Sequence, residues 1–191
     1  MHIQYKWTII FLIQSLDNSL EDMKKMMEDI LLTQINKQVS VIIVVTINKN
    51  RVPPHYPVSL SSNEETQTTL CFQLIKQNNR VTLNLLSESF TFRLNKPVDL
   101  ADFFNDTILK KYNAEHYLLF TWDHGHPFGI FEPAQNIFLE NYLTTSKLKS
   151  AIEKSIKKID IVVMNNCFCQ FFDTGYELRK SIEFLIVFML K

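Results

Sequence analysis

The sequence predicts a doubly wound α/β domain built on a mostly parallel sheet. Apolar, β-branched runs at residues 6–13, 39–47, 116–122 and 159–164 are short and continuous, as strands buried on both faces are. Stretches with helical spacing separate most of them, and strands alternating with helices build parallel sheets. Two of the runs also end on reactive side chains. The third leads into Asp123-His124-Gly125 and the fourth into Asn165-Asn166-Cys167. Open parallel sheets carry their chemistry in the loops beyond the carboxyl ends of the strands.

The elements follow in order. Residues 6–13 are rich in Ile and aromatics and read as a first buried strand. Asn18 can cap the next helix, with Glu21 completing a capping box. Leu20, Met23, Met27, Ile30 and Leu31 then form one apolar stripe, with charged residues on the opposite face. Residues 39–47 are the second strand. Residues 48–67 carry Pro53, Pro54 and Pro57 among polar residues and read as a surface excursion. Residues 69–76 and 80–86 flank Gln77-Asn78-Asn79 and form a hairpin expected at one edge or end of the sheet.

Pro97 opens a helix reaching about Tyr112, with Leu100, Phe103, Phe104, Ile108 and Leu109 buried. The third main strand follows at 116–122. Thr144 or Thr145 caps a helix burying Leu148, Ala151, Ile152 and Ile156, and 159–164 is the fourth main strand. A last helix is expected from about Asp173 through Tyr176, Leu178, Ile182 and Leu185. Neither an internal repeat nor a linker interrupts the chain. Residues 1–191 are therefore expected to form one domain, with the hairpin inserted at about 68–90.

Composition narrows the function. The 191 residues hold 20 basic and 20 acidic side chains, so no net field draws the chain to nucleic acid or to an anionic membrane. With only 3 glycines, none of them clustered, a glycine-rich phosphate loop is excluded. Cys71, Cys167 and Cys169 suit neither a disulfide framework nor a Cys-x-x-Cys centre, and point to a reducing compartment or a working thiol. The apolar run after Lys6 is short and lacks a cleavage site of small residues, so a cytoplasmic location is expected, with secretion as the alternative. The apolar stretch at 184–190 is too short to span a bilayer.

A thiol on one strand-end loop beside an imidazole on another is a nucleophile with its general base. His124 and Cys167 are the first candidates, with His126 and Cys169 as competitors. A turn histidine and a buried structural cysteine are the plainer readings. Gly125 favours the functional reading, because a missing side chain lets backbone N–H groups approach a substrate oxygen. Asp123, His124 and His126 form an alternative metal set, without an evident further ligand.

The two loops together resemble the clostripain family of cysteine peptidases, in the caspase-like clan with gingipains, legumains and caspases. Trp122-Asp123-His124-Gly125 matches the family's Trp-x-His-Gly. Asn166-Cys167 through Asp173, Tyr176, Glu177 and Leu178 is similar to its nucleophile segment, in the same spacing. Residues 7–12 with 17–21, 99–104, and 143–145 through 159–161 resemble the intervening elements in order.

The resemblance implies a caspase-like α/β/α sandwich with a mostly parallel central sheet, lacking the C-terminal strands of the full family domain. It implies a cysteine endopeptidase without a cofactor or metal, acting on peptide or protein substrates. Cys167 would be the nucleophile and His124 the general acid/base. The N–H groups of Gly125 and Cys167 would form the oxyanion hole, with Asn165 and Asp123 in substrate binding. A catalytically inactive scaffold that binds peptides or partners is the competing function.

The sequence departs from the family at Asn165, where the family's Asp helps bind a basic P1 side chain. It departs also at Asn166, where the family has Ala, and at Cys169, where it has Met. His126-Pro127-Phe128-Gly129 replaces a glycine-rich stretch. The chain is accordingly expected to be truncated, or to complete its sheet or pocket by self-association or with a partner through the apolar 184–190.

Overall fold

The computed structural model describes residues 5–16, 19–48, 67–78, 80–89, 91–126, 129–131, 142–156, 158–167, 169 and 172–188. The strands are β1 (Tyr5–Ser15), β2 (Val39–Asn48), β3 (Gln67–Gln77), β4 (Arg80–Ser89), β5 (Ala114–Trp122), β6 (Gly125–His126), β7 (Gly129–Ile130), β8 (Ile159–Asn165) and β9 (Ile182–Val187). The helices are α1 (Leu20–Leu31), α2 (Pro97–Phe103), α3 (Thr145–Glu153) and α4 (Phe172–Leu178). Phe104–Leu109 continues α2 with π-helical bonding.

Seven strands form one sheet in the order β4-β3-β2-β1-β5-β8-β9. The five from β2 to β9 run parallel, and β3 and β4 add an antiparallel hairpin at one edge, as the sequence predicts. Asn78 turns that hairpin with a φ of 48°, a region that Asn tolerates better than most residues.

Chain direction and handedness place the helices. From β1 the chain steps one way to β2, whereas from β5 it steps the other way to β8 and then β9. Right-handed crossovers therefore put α1 on one face and α3 and α4 on the other. The core follows this division. Ile10, Leu12, Leu119 and Val162 pack with Leu100 and Phe104 of the α2 segment, Ile152 of α3 and Leu178 of α4. On the opposite face, Ile13, Ile43 and Val45 pack with Met23 and Met27 of α1, so the methionine stripe is core.

Thr144 caps α3, its Oγ1 accepting the Lys147 N–H at 3.2 Å. The expected Asn18 cap and most of the proline-bearing excursion lie outside the described residues. Ser19 stands at the α1 cap position without a side-chain capping bond.

The last helix is a correction. It ends at Leu178 rather than reaching Leu185, and residues 182–187 form β9, paired in parallel with β8. Leu178, Ile182 and Leu185 match a helical spacing. The segment is nevertheless rich in β-branched and aromatic residues, and the open edge of β8 supplies hydrogen bonds that a lone helix end does not.

A polar tie joins β5 and β8 at the end of the sheet away from the candidate loops. Asp160 accepts the Tyr117 N–H at 2.7 Å and faces His116 Nδ1 at 2.9 Å. Burial pushes the Asp160 carboxyl up, but the Tyr117 N–H and the His116 ring outweigh it and hold the group below its ordinary 3.8. A carboxylate with a depressed folded value contributes stability above its unfolded value, and loses it as pH falls through the folded one. Asp160→Asn is expected to flatten the acid side of a stability-versus-pH curve below about pH 4, measured by urea unfolding. Leu119→Ala, at a fully buried position in β5, is expected to cost about 2–5 kcal/mol in the same measurement.

Candidate active site

The site forms where the sheet changes direction. Among its central strands, β1 leads to one side, and β5 and β8 lead to the other, which opens a crevice at their carboxyl ends. Trp122 and Asn165 pair directly, so β5 and β8 end level with one another. The Asp123-His124-Gly125 and Asn166-Cys167 segments therefore leave the sheet side by side.

Gly125 makes that proximity close. A Cβ placed on it would lie 1.9 Å from the Cys167 carbonyl oxygen and 2.7 Å from the Cys167 amide nitrogen. No side chain fits there. Its φ is not positive, so glycine is required by the approach of two backbones and not by its own conformation.

Asn166 ties the two loops together. Its side chain is 2% exposed. Its Oδ1 accepts the hydroxyl of the buried Thr121 at 2.6 Å, and its Nδ2 donates to the carbonyls of Asp123 at 3.1 Å and His124 at 3.4 Å. Gln14, near the end of β1, donates from Nε2 to Asp123 Oδ2 at 2.8 Å. Three strand ends thus fix the His124 loop. Asp123, expected in substrate binding, is at least partly committed to this bracing.

Access separates the candidates. His124 is exposed and Cys167 half-buried, whereas Cys169 and Cys71 are buried. Burial, helped by the nearby Cys167, raises the Cys169 thiol to about 11. Burial raises that of Cys71 to about 12, against smaller lowering effects from Lys111 and Ser87. Both stay protonated near neutrality, and the thiol is a far weaker nucleophile than the thiolate. The His126 ring lies edge-on to Tyr142 at 4.9 Å, and His126 belongs to the small β6–β7 pair that the sequence did not reveal.

The described part of α4 runs from Phe172 to Leu178, 7 residues. Glu177 pairs with Lys149 at 3.2 Å, and the Arg179 guanidinium lies over the Tyr176 ring. Both contacts brace α4. Among the described residues, no three His, Cys, Asp or Glu side chains are grouped to hold a metal ion.

The bracing by Asn166, Thr121 and Gln14 is what sequence reasoning missed. Its one sequence-level trace is the polar Asn166 where a small residue was expected.

The clostripain family model matches residues 17–189, nearly the whole chain. The chain belongs to the clostripain family, C11. Solved C11 structures share the fold. A secreted C11 cysteine protease of Bacteroides thetaiotaomicron, "iotapain", superposes with a TM-score of 0.73 at 12% identity, over 97% of this chain and 52% of that one. The same kind of protease from that organism, in complex with an irreversible peptide inhibitor, gives 0.66 at 16% identity, over 94% and 48%. An inactive zymogen C11 protease of Parabacteroides distasonis gives 0.67 at 17%, over 98% and 49%. This clostripain-family chain spans about half the length of these structures. No functionally curated protein matches the sequence.

Two outcomes follow from the geometry. Gly125→Ala is expected to force the two loops apart and to lower stability by about 1–3 kcal/mol, as overpacking does, in chemical denaturation. Limiting iodoacetamide at pH 8, followed by peptide mass spectrometry, is expected to label Cys167 well before Cys169 or Cys71. Preferential labelling of Cys169 would contradict the assignment of the accessible thiol.

Proposed function

We propose that this chain carries the catalytic dyad of a cysteine endopeptidase, with Cys167 as nucleophile and His124 as general acid and base. The observation behind this reading is the packing of Gly125 onto the Cys167 backbone, which sets the histidine loop directly beside the thiol loop. Membership of the clostripain family and the exposure of His124 agree with it.

The chemistry requires little beyond these groups. The His124 imidazole takes the Cys167 proton, and the sulfur attacks the scissile carbonyl carbon. The tetrahedral oxyanion is held by the N–H groups of Gly125 and Cys167. The imidazolium then returns its proton to the leaving amine as the C–N bond breaks, leaving a thioester. A water molecule, deprotonated by His124, attacks that thioester, and the thiolate departs and is reprotonated. Neither a metal nor a cofactor enters these steps.

Asn165 sits at the mouth of this crevice, on the last position of β8. Its neutral amide offers hydrogen bonds without the charge that would single out a basic P1 side chain, so a broader P1 preference is proposed. The same residue favours the second reading, a peptide-binding scaffold without turnover.

A peptide library assayed with the wild type, Cys167→Ala and His124→Ala separates the two readings. Each substitution is expected to lower kcat/KM by on the order of 10³-fold or more, with a chelator having no effect. Activity that survives Cys167→Ala would sink the nucleophile assignment. Peptide binding without turnover by the wild type would establish the scaffold instead.

A further inference from the structure

The ladder between β5 and β8 ends with the pair Trp122 and Asn165, so the strand register is already set when the chain reaches Asn166. The Asn166 side chain engages groups on both sides of that end. On the strand side is the hydroxyl of the fully buried Thr121, and on the loop side are the Asp123 and His124 carbonyls.

Chemistry fixes the orientation of this amide. Two carbonyl oxygens can only accept, so the NH2 end must face the loop. The Oδ1 end is then left for the Thr121 hydroxyl, which donates to it at 2.6 Å. On the loop side the bond to Asp123, at 3.1 Å, is tighter than the bond to His124, at 3.4 Å.

Those two carbonyls belong to the two peptide units that flank the His124 α-carbon. Peptide units are planar, so the backbone at one residue turns only about φ and ψ. Anchoring both planes to one buried amide therefore restrains both His124 angles, and with them the direction in which the imidazole leaves the loop. In a trans peptide the N–H points opposite to the C=O. Turning the His124 carbonyl towards the buried Asn166 thus turns the Gly125 N–H away from it. The Cys167 backbone continues directly from Asn166, so one residue spans both reactive loops.

We infer that Asn166 is a positioning residue for the Cys167 and His124 pair. It holds the His124 imidazole and the Gly125 N–H in place through the loop backbone, and Thr121 holds Asn166 in turn. The effect on turnover rests on the peptidase reading above. Losing Asn166 removes order and no reactive group, yet a displacement of about 1 Å can cost on the order of 10²-fold in rate. Contacts to substrate are untouched, so the loss falls on kcat and not on KM. Gln14 does not replace this tie, since its bond goes to the Asp123 side chain and not to the loop backbone.

The test measures kcat and KM on the peptide that the wild type cleaves fastest in the library, well below each variant's Tm. Asn166→Ala is expected to lower kcat by about 10- to 100-fold, with KM changed by less than about twofold. Thr121→Val is expected to lower kcat by about 3- to 10-fold, as the loss of one hydrogen bond would. Thr121→Ser, which keeps the hydroxyl, should restore most of that loss. The double variant Asn166→Ala/Thr121→Val should be no slower than Asn166→Ala alone, because Thr121 acts through Asn166.

A second readout needs no turnover. At neutral pH iodoacetamide is expected to alkylate Cys167 faster in the wild type than in His124→Ala, because a nearby imidazolium favours the thiolate. Asn166→Ala should slow alkylation towards the His124→Ala rate, and should change nothing further once His124 is gone. If the wild type cleaves no peptide yet shows this pattern, the peptidase reading fails and the positioning role stands. If it cleaves peptide and the folded Asn166→Ala and Thr121→Val variants keep full kcat, the positioning role fails and the peptidase reading stands. A rise in KM alone, or an alkylation effect of Asn166→Ala that persists without His124, would also overturn the inference. Absence of both turnover and a His124-dependent alkylation rate would overturn both.

Discussion

The contact on which the site depends is the packing of the Gly125 backbone against the Cys167 backbone. It involves no charge and no hydrogen bond of its own, and it works by exclusion. With a hydrogen where any other residue carries a Cβ, the histidine loop can settle onto the cysteine loop, and with a methyl it cannot. The separation of His124 and Cys167, which are far apart in sequence, is thereby set by backbone geometry rather than by flexible side chains. Short-range rigidity of this kind is what nucleophilic catalysis needs, because small misplacements of reacting groups are costly.

Backbone contact alone would leave the loops free to slide along one another. The buried Asn166 opposes this by holding Thr121 on one side and the Asp123 and His124 carbonyls on the other. Buried amides are expensive unless all their hydrogen-bonding capacity is used. Here the Oδ1 and Nδ2 groups are both engaged, so the residue stabilises the arrangement and specifies its register. Gln14 extends the bracing to β1, so that the loop rests on three neighbouring strands. Where the family carries Ala, this chain has a polar tie. Where the family carries Asp, it has Asn165, which keeps hydrogen bonding and gives up charge.

Handedness governs the larger design. A single reversal of winding between β1 and β5 creates the crevice that receives the two loops, and it also divides the helices unequally between the faces. The same rule that assembles the site sends α1 to one face of the sheet and α3 and α4 to the other. The site and the division of the helices are two consequences of one topological choice.

Much of this was legible in the sequence because continuous β-branched runs, an apolar stripe on α1 and proline at the start of α2 are local signals. The order of main strands, the edge hairpin, the burial of Met23 and Met27, and the loops bearing His124 and Cys167 could all be read directly. The end of the chain could not, because Leu178, Ile182 and Leu185 satisfy a helical spacing, and only the open edge of β8 decides in favour of a strand. The roles of Asn166, Thr121 and Gln14 were equally hidden, since each is an ordinary polar residue until the fold buries it beside the others. Local periodicity and turn chemistry determined which elements form and which residues end up at strand tips. Only the tertiary structure decided which backbones touch and which thiol stays accessible, because these depend on neighbours that the chain brings together across more than a hundred residues.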